Sequence, residues 1–301
     1  MKVRAEAIPL DGPLPGGVEG ASVAIEPIMA GRATFPGAFF ESEGGLLAGA
    51  RAIGIGTPKS AYMTVPVPAY LLQHPGAGWI LVDTGLHHSV ARNPRDNLGR
   101  IFSRYCDLEE GEDVASQLRG KGIGARDIGV VVLTHLHHDH ASGISEFPDS
   151  TFVVSAEEWT DATERPRQML RGYVPKQYDY AFDYRTVDFD GDDVESYGPF
   201  GRTYDLFGDG SVRLVYTPGH SAGHMSVFAR LPRRDFVIAS DVAYTWRQLM
   251  GGPEPWTVFD RHNFRRSLHE MQAYRREYPY ALVVPGHDPE FFAKLEDRYE
   301  E

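Results

Sequence analysis

Residues 134–140 read Thr-His-Leu-His-His-Asp-His, directly after the apolar run 128–133, Ile-Gly-Val-Val-Val-Leu. That run has the length and β-branched content of a buried strand, so His135, His137, Asp139 and His140 sit on the loop leaving it. Alternate residues of an extended loop point the same way. His135 and His137 therefore converge on one ion, while Asp139 and His140 turn toward a neighbouring one. A histidine-rich surface turn would carry the same letters, but it would not follow a buried strand or be echoed downstream.

The echo comes three times. Segment 211–217 alternates as a strand and ends in Pro218-Gly219-His220; 235–241 is a short apolar run closed by Asp241; 280–284 runs into Pro285-Gly286-His287. In sheet-based enzymes the loops at one end of the strands gather ligands, so four such exits predict one assembled site. His135, His137 and His220 offer one ion three imidazoles. Asp139, His140 and His287 offer a second ion two imidazoles and a carboxylate, and Asp241 bridges the two. Three protein ligands and a bridge leave each ion open to water, which is the coordination of a catalytic site. Nitrogen and oxygen donors without thiolate suit zinc; iron, cobalt and manganese also fit.

Thr134 to His140 with Ala141-Ser142-Gly143, then 217–224 (Thr-Pro-Gly-His-Ser-Ala-Gly-His), Ser240-Asp241 and Pro285-Gly286-His287, resemble the metallo-β-lactamase superfamily, as does 81–85 (Leu-Val-Asp-Thr-Gly). Within it the chain is most similar to the N-acyl homoserine lactonases. The carriers of that likeness are Tyr244, three residues after Asp241, with His287-Asp288 and the segment 65–72. The resemblance implies an αββα sandwich with a dinuclear metal site at the sheet edge. It implies a small-molecule lactone substrate attacked by a metal-bridging hydroxide, with the Tyr244 hydroxyl donating to the oxyanion and Asp139 or a water carrying a proton to the leaving alkoxide. Related chemistries on the same motif are a glyoxalase II-like thioesterase and an organophosphate or aryl-ester hydrolase. A β-lactamase gives Tyr244 no role, and a non-enzymatic metal-binding scaffold does not need so full a ligand set.

Other features set the surroundings. No low-complexity linker divides the 301 residues, so residues 1–301 read as one hydrolase domain. Phe264, Leu268, Met271 and Tyr278 predict a helix capped by Asp260 or Asn263, and Val114 and Leu118 predict another stopped by Gly122. Formal net charge −12 repels a phosphate backbone and excludes nucleic acid as a partner. Cys106 is the lone cysteine, the start lacks an apolar signal core, and no apolar stretch is long enough to span a membrane, so the expectation is a cytoplasmic enzyme without a membrane partner. Segment 44–60 is Gly-rich and apolar, suited to a mobile lip. Segment 173–209, dense in Tyr and Phe and without clear period, is expected to line a substrate entrance, form a homodimer contact or cover the sheet edge. His138 points away from His137 and is not expected to ligate. His224 is expected to orient a ligand, Asp83 to hold the turn or a histidine, and His87 and His88 to be solvated.

Overall fold

A computed structural model describes residues 3–42 and 44–301. Two sheets are present. The first orders β1 (Ala7–Pro9), β8 (Asp183–Val187), β7 (Thr151–Ser155), β6 (Ile128–Val132), β4 (Gly78–Val82), β3 (Tyr62–His74), β2 (Ala24–Pro36) and β5 (Cys106–Asp107). The second orders β14 (Leu282–Pro285), β13 (Asp235–Ser240), β12 (Met225–Arg230), β11 (Val212–Tyr216), β10 (Phe200–Asp205) and β9 (Glu195–Tyr197).

The two-residue period of the strands sorts side chains into layers. Ile80, Val82, Val130 and Val132 share one buried cluster with Leu214, Val227 and Ile238 of the other sheet. Their neighbours Leu81 and Val131 turn outward onto Val114 and Leu118 of the helix Val114–Gly120. Val215 and Val237 turn outward on the other side, beneath Phe264, Leu268, Met271 and Tyr274 of the helix Arg261–Glu277. Helix, sheet, sheet, helix is the expected αββα sandwich. Because both faces of each sheet are covered, the strands read as near-continuous apolar runs.

Strand direction assembles the ligands. β4 and β6 are parallel; β11 and β13 each run antiparallel to β12, and β14 runs parallel to β13. Within each sheet the ligand-bearing exits therefore lie at one edge.

Three expectations need correction. The long helix is capped by Asp260, whose carboxylate accepts from the His262 and Asn263 amides, so Asn263 lies inside the helix and is not its cap. Tyr278 falls one residue past the helix and is 38% exposed; the buried position one turn earlier belongs to Tyr274. The aromatic segment 173–209 is not irregular, for it contains β8, β9 and β10. Tyr178 and Tyr184 lie under the first sheet's outer face, Phe189, Tyr204 and Phe207 lie between the sheets, and Phe200 lies under the long helix. Their period is masked because β8, β9 and β10 are only three to six residues long and β10 shifts register against β9 between Phe200 and Thr203, and of the segment only Tyr173 lines the cavity described below.

This layering sets a contrast between two positions of one helical stripe. Met271→Ala, in a fully buried position, should cost about 2–5 kcal/mol. Tyr278→Ala removes an exposed ring stacked on Tyr274 and should cost about 1 kcal/mol. Equilibrium urea unfolding of the two variants is the check; equal losses would contradict the assignment.

Candidate metal centre

All seven predicted ligand residues come together at the strand exits, and all are buried or half-buried. His220 Nε2 lies 2.8 Å from His137 Nδ1 and 3.1 Å from His135 Nε2. Asp139, His140 and His287 form a second group. Asp241 stands between them: its Oδ2 is 3.2 Å from His220 Nε2, and its Oδ1 is 3.1 Å from His287 Nε2 and 3.5 Å from His140 Nε2. Asp139 Oδ2 faces His287 and His140 Nε2 at 3.7 and 3.8 Å.

Three of the five ligand-type rings are aimed by the contact their other nitrogen makes. His140 Nδ1 is 2.8 Å from Asp83 Oδ2, His287 Nδ1 is 2.8 Å from the Pro66 carbonyl, and His220 Nδ1 is 3.0 Å from the Tyr244 hydroxyl. His224, as expected, does not join the groups but accepts from the Asp241 amide at 3.0 Å. Asp83 also accepts from the Thr134 amide, tying the exits of β4 and β6. Local backbone geometry serves the same end. Gly219 (φ +126°) brings the His220 turn so close to the long helix that a Cβ would sit 2.1 Å from the Phe264 amide nitrogen. Asp83 and Ser240 hold positive φ without being glycine, a strain that the packed surroundings must sustain.

Burial pushes the imidazoles of His135 and His220 well below their usual range and His137 down to about 3, so these rings are neutral lone-pair donors. Burial would do the same to His140, but Asp83, Asp139 and Asp241 reverse it and lift this ring to about 10. Asp241 is also desolvated, yet His287, His220 and His140 hold its carboxyl well below the ordinary range. Asp241 and Asp139 likewise push the His287 ring up against its burial. Three neutral nitrogens converging on one point, and a buried His140 Nε2 with no hydrogen-bond partner, fit a bound ion in each group.

A cavity of about 480 Å³ opens above the ligands, walled by Phe35, Phe39, Phe40, Phe102, Tyr105 and Trp256. Tyr244, buried, lines it, and Ala52 and Ile53 bring the lip segment to its edge. Leu46, Leu47, Ile53 and Ile55 are exposed along that lip. His138 lies outside both ligand groups, buried and stacked on Phe102 with ring centroids 3.7 Å apart. His88 is exposed as expected, but His87 is half-buried, its Nδ1 capping Ser89. The contribution missed by sequence reading is that of Glu158. Its fully buried carboxylate accepts from the Leu136 amide (2.9 Å), the Ser221 hydroxyl (2.6 Å) and the Gly223 amide (3.0 Å), clamping the two loops that carry His135, His137 and His220. A lone Glu in a helix, with no spacing to a motif, gave no local signal.

Comparison with known proteins agrees with this geometry. The model of the metallo-beta-lactamase superfamily matches residues 63–287. N-acyl homoserine lactonase AttM of Rhizobium radiobacter is 31% identical over 234 residues, 77% of this chain and 85% of the relative. N-acyl homoserine lactonase of Bacillus thuringiensis is 27% identical over 232 residues, 76% of this chain and 83% of the relative. Among solved structures, an N-acyl homoserine lactone hydrolase with N-hexanoyl-L-homoserine bound at its catalytic metal centre superimposes with TM-score 0.72 at 22% identity, covering 94% of this chain and 98% of that one. The chain belongs to the metallo-β-lactamase superfamily and, within it, to the family of the N-acyl homoserine lactonases.

Proposed function

We propose that this chain, as a single hydrolase unit, opens the lactone ring of N-acyl homoserine lactones. In this reading it uses two zinc ions, one held by His135, His137 and His220 and one by Asp139, His140 and His287, with Asp241 shared. The observation that carries it is Asp241, whose two oxygens face separate donor groups with the Tyr244 hydroxyl beside them. The lactonase relatives at 31% identity support the substrate class.

Such a pair of ions, when bound, polarises a carbonyl and lowers the pKa of water toward neutrality. With its Nε2 turned to the site, His220 carries its proton on Nδ1 and donates it to the Tyr244 oxygen. Tyr244 therefore keeps its own proton for the oxyanion of the opening lactone. Burial, with Asp241 and Asp139 nearby, pushes that phenol well above its usual range, so it stays a donor. Burial would raise Asp139, but His138, His140 and His287 outweigh it and bring it to about 2. Its carboxylate takes the proton of the attacking water and delivers it to the leaving alkoxide, giving the N-acyl homoserine. The aromatic wall receives the acyl chain and excludes water from the reacting ester. A cytoplasmic setting accords with a single, buried thiol at Cys106.

Metal content tests the ligand assignment. The purified protein should hold about two ions per chain by elemental analysis. Asp241→Asn should lose both together after mild chelation. Glu158→Gln replaces one of the two accepting oxygens with an amide donor, setting it against the Leu136 amide or against the Ser221 and Gly223 donors, and should weaken the ion at His135, His137 and His220 alone. Reproducible binding of a single ion in the unaltered chain, even with zinc in excess, would sink the paired site.

His137→Ala should abolish lactone turnover. His138→Gln should keep both ions and turnover within a few fold, losing about 1 kcal/mol of stability with the Phe102 stacking. Equal damage to turnover from the two variants would show His138 to be a functional group.

Tyr244→Phe keeps the ring and both ions. Losing one oxyanion donor costs on the order of 10²–10³ in kcat, or about tenfold where an ion shares the oxyanion. The loss should fall on kcat more than KM, and should be smaller for paraoxon, whose good leaving group needs less help. Full lactone turnover in the metal-loaded variant would make Tyr244 a packing residue.

A further inference from the structure

Between the turn after β4 and the helix Val114–Gly120 lies a second cavity of about 480 Å³, which shares no lining residue with the one above the paired site. On its wall a nitrogen of His87, a nitrogen of His88 and a carboxylate oxygen of Glu146 lie within 4.8 Å of one another. We propose that this trio is a further binding site for a divalent ion of the zinc, nickel and copper class, distinct from the paired centre, where it braces the loop that carries Asp83.

The argument starts from Glu146. Its side chain is only 8% exposed, yet among the described residues its one ionic partner is His88, whose Nδ1 lies 2.7 Å from Oε1 and whose ring is 60% exposed. Glu146 Oε2 is buried with no hydrogen-bond partner among the described residues. A carboxylate sunk this far is under-compensated, and burial lifts it to about 7. Of the arginines bordering the cavity, Arg92 pairs with Glu110, and Arg119 donates to the Ser116 hydroxyl and acts on Glu146 only through space, too little to reverse the effect of burial. The rings of His87 and His88 lie side by side, centroids 4.0 Å apart. Burial holds His87 neutral, at about 4. Its Nδ1 is 2.8 Å from Ser89 Oγ, so a proton donated there leaves the Nε2 lone pair free to ligate, giving up the weaker contact from the Ser89 amide. Two imidazoles and one carboxylate, without thiolate, match ions of borderline softness and leave positions for water.

The location says what such an ion does. The His87 amide donates to Ser142 Oγ, the Thr84 hydroxyl donates to the His140 carbonyl, and the Gly143 amide donates to Thr84 Oγ1. An ion on His87, His88 and Glu146 adds a clip between the same two segments, the β4 exit and the turn after the ligand loop. It touches none of the seven residues of the paired site.

The test counts ions by equilibrium dialysis of the protein, with its tightly held metal in place, against added zinc. The unaltered chain should take up one equivalent more than His88→Ala or Glu146→Gln, while all three keep the tightly held ions and the same lactone turnover without added zinc. Excess zinc should raise Tm of the unaltered chain and leave that of His88→Ala unchanged. His88 is exposed, so its variant folds and the comparison holds even if Glu146→Gln does not. Equal uptake by the unaltered chain and His88→Ala, or an equal rise in Tm, overturns the proposal and leaves His88 and Glu146 as a plain ion pair. The readout is a difference between chains, so it stands whether the tightly held ions number two or one.

Discussion

The carboxylate of Asp241 is the interaction on which the rest of this edge depends. It is buried, with one oxygen 3.2 Å from His220 and the other 3.1 Å from His287. Sinking an ionised carboxylate costs several kcal/mol, repaid only when opposite charge and hydrogen bonds meet it from every side. Here the repayment comes from His140, His220 and His287 on the loops leaving β6, β11 and β14, strands of two different sheets. The sandwich and the site are therefore one problem. The sheets close so that their strand exits meet, and the charge gathered there holds them to that closure.

The hydrogen bonds behind the ligands explain why the closure is specific. The His287 ring is fixed by the carbonyl of Pro66, and Pro66 sits in β3 beside the register shift between Met29 and Arg32 of β2. His140 is fixed by Asp83, which also takes the Thr134 amide, and Asp241 is fixed through its amide by His224. Positive φ at Asp83 and Ser240 costs on the order of 1–3 kcal/mol each and persists because the surroundings over-determine it. Strain next to a ligand is tolerable where the backbone turn it permits is the one that aims the carboxylate.

What could be read from the sequence follows from how local each signal is. His135, His137, Asp139 and His140 share one loop, and His220, Asp241 and His287 each lie within four residues of a strand's end, so the spacing already placed together residues that the structure brings together. Tyr244 was legible through its offset from Asp241. Glu158 was not, because its meaning lies in contacts to residues 22, 63 and 65 positions away. The aromatics of 173–209 were misread for a related reason. The segment's strands run only three to six residues between turns, too short for an alternation to stand out. Tyr278 shows the limit of helical spacing, which runs on smoothly past the residue where the helix stops.

The division of labour between strand exits and connecting segments bears on how a site of this kind diversifies. Every predicted ligand sits on a strand exit held by buried hydrogen bonds, so its position is tied to the stability of the whole sandwich. The apolar wall comes from elsewhere: the segment joining β2 to β3 supplies Phe39, Phe40, Ala52 and Ile53, and the stretch before the long helix supplies Trp256 and Phe259. Leu46, Leu47 and Ile55 stand exposed beyond that wall and carry none of the hydrogen bonds that aim the ligands. Changes there alter the length and shape of the apolar wall while leaving Asp241 and its partners in place. The charged cluster and the apolar wall thus lie in physically separate parts of the chain, and the separation follows from which groups must be buried with their charge and which need only be apolar.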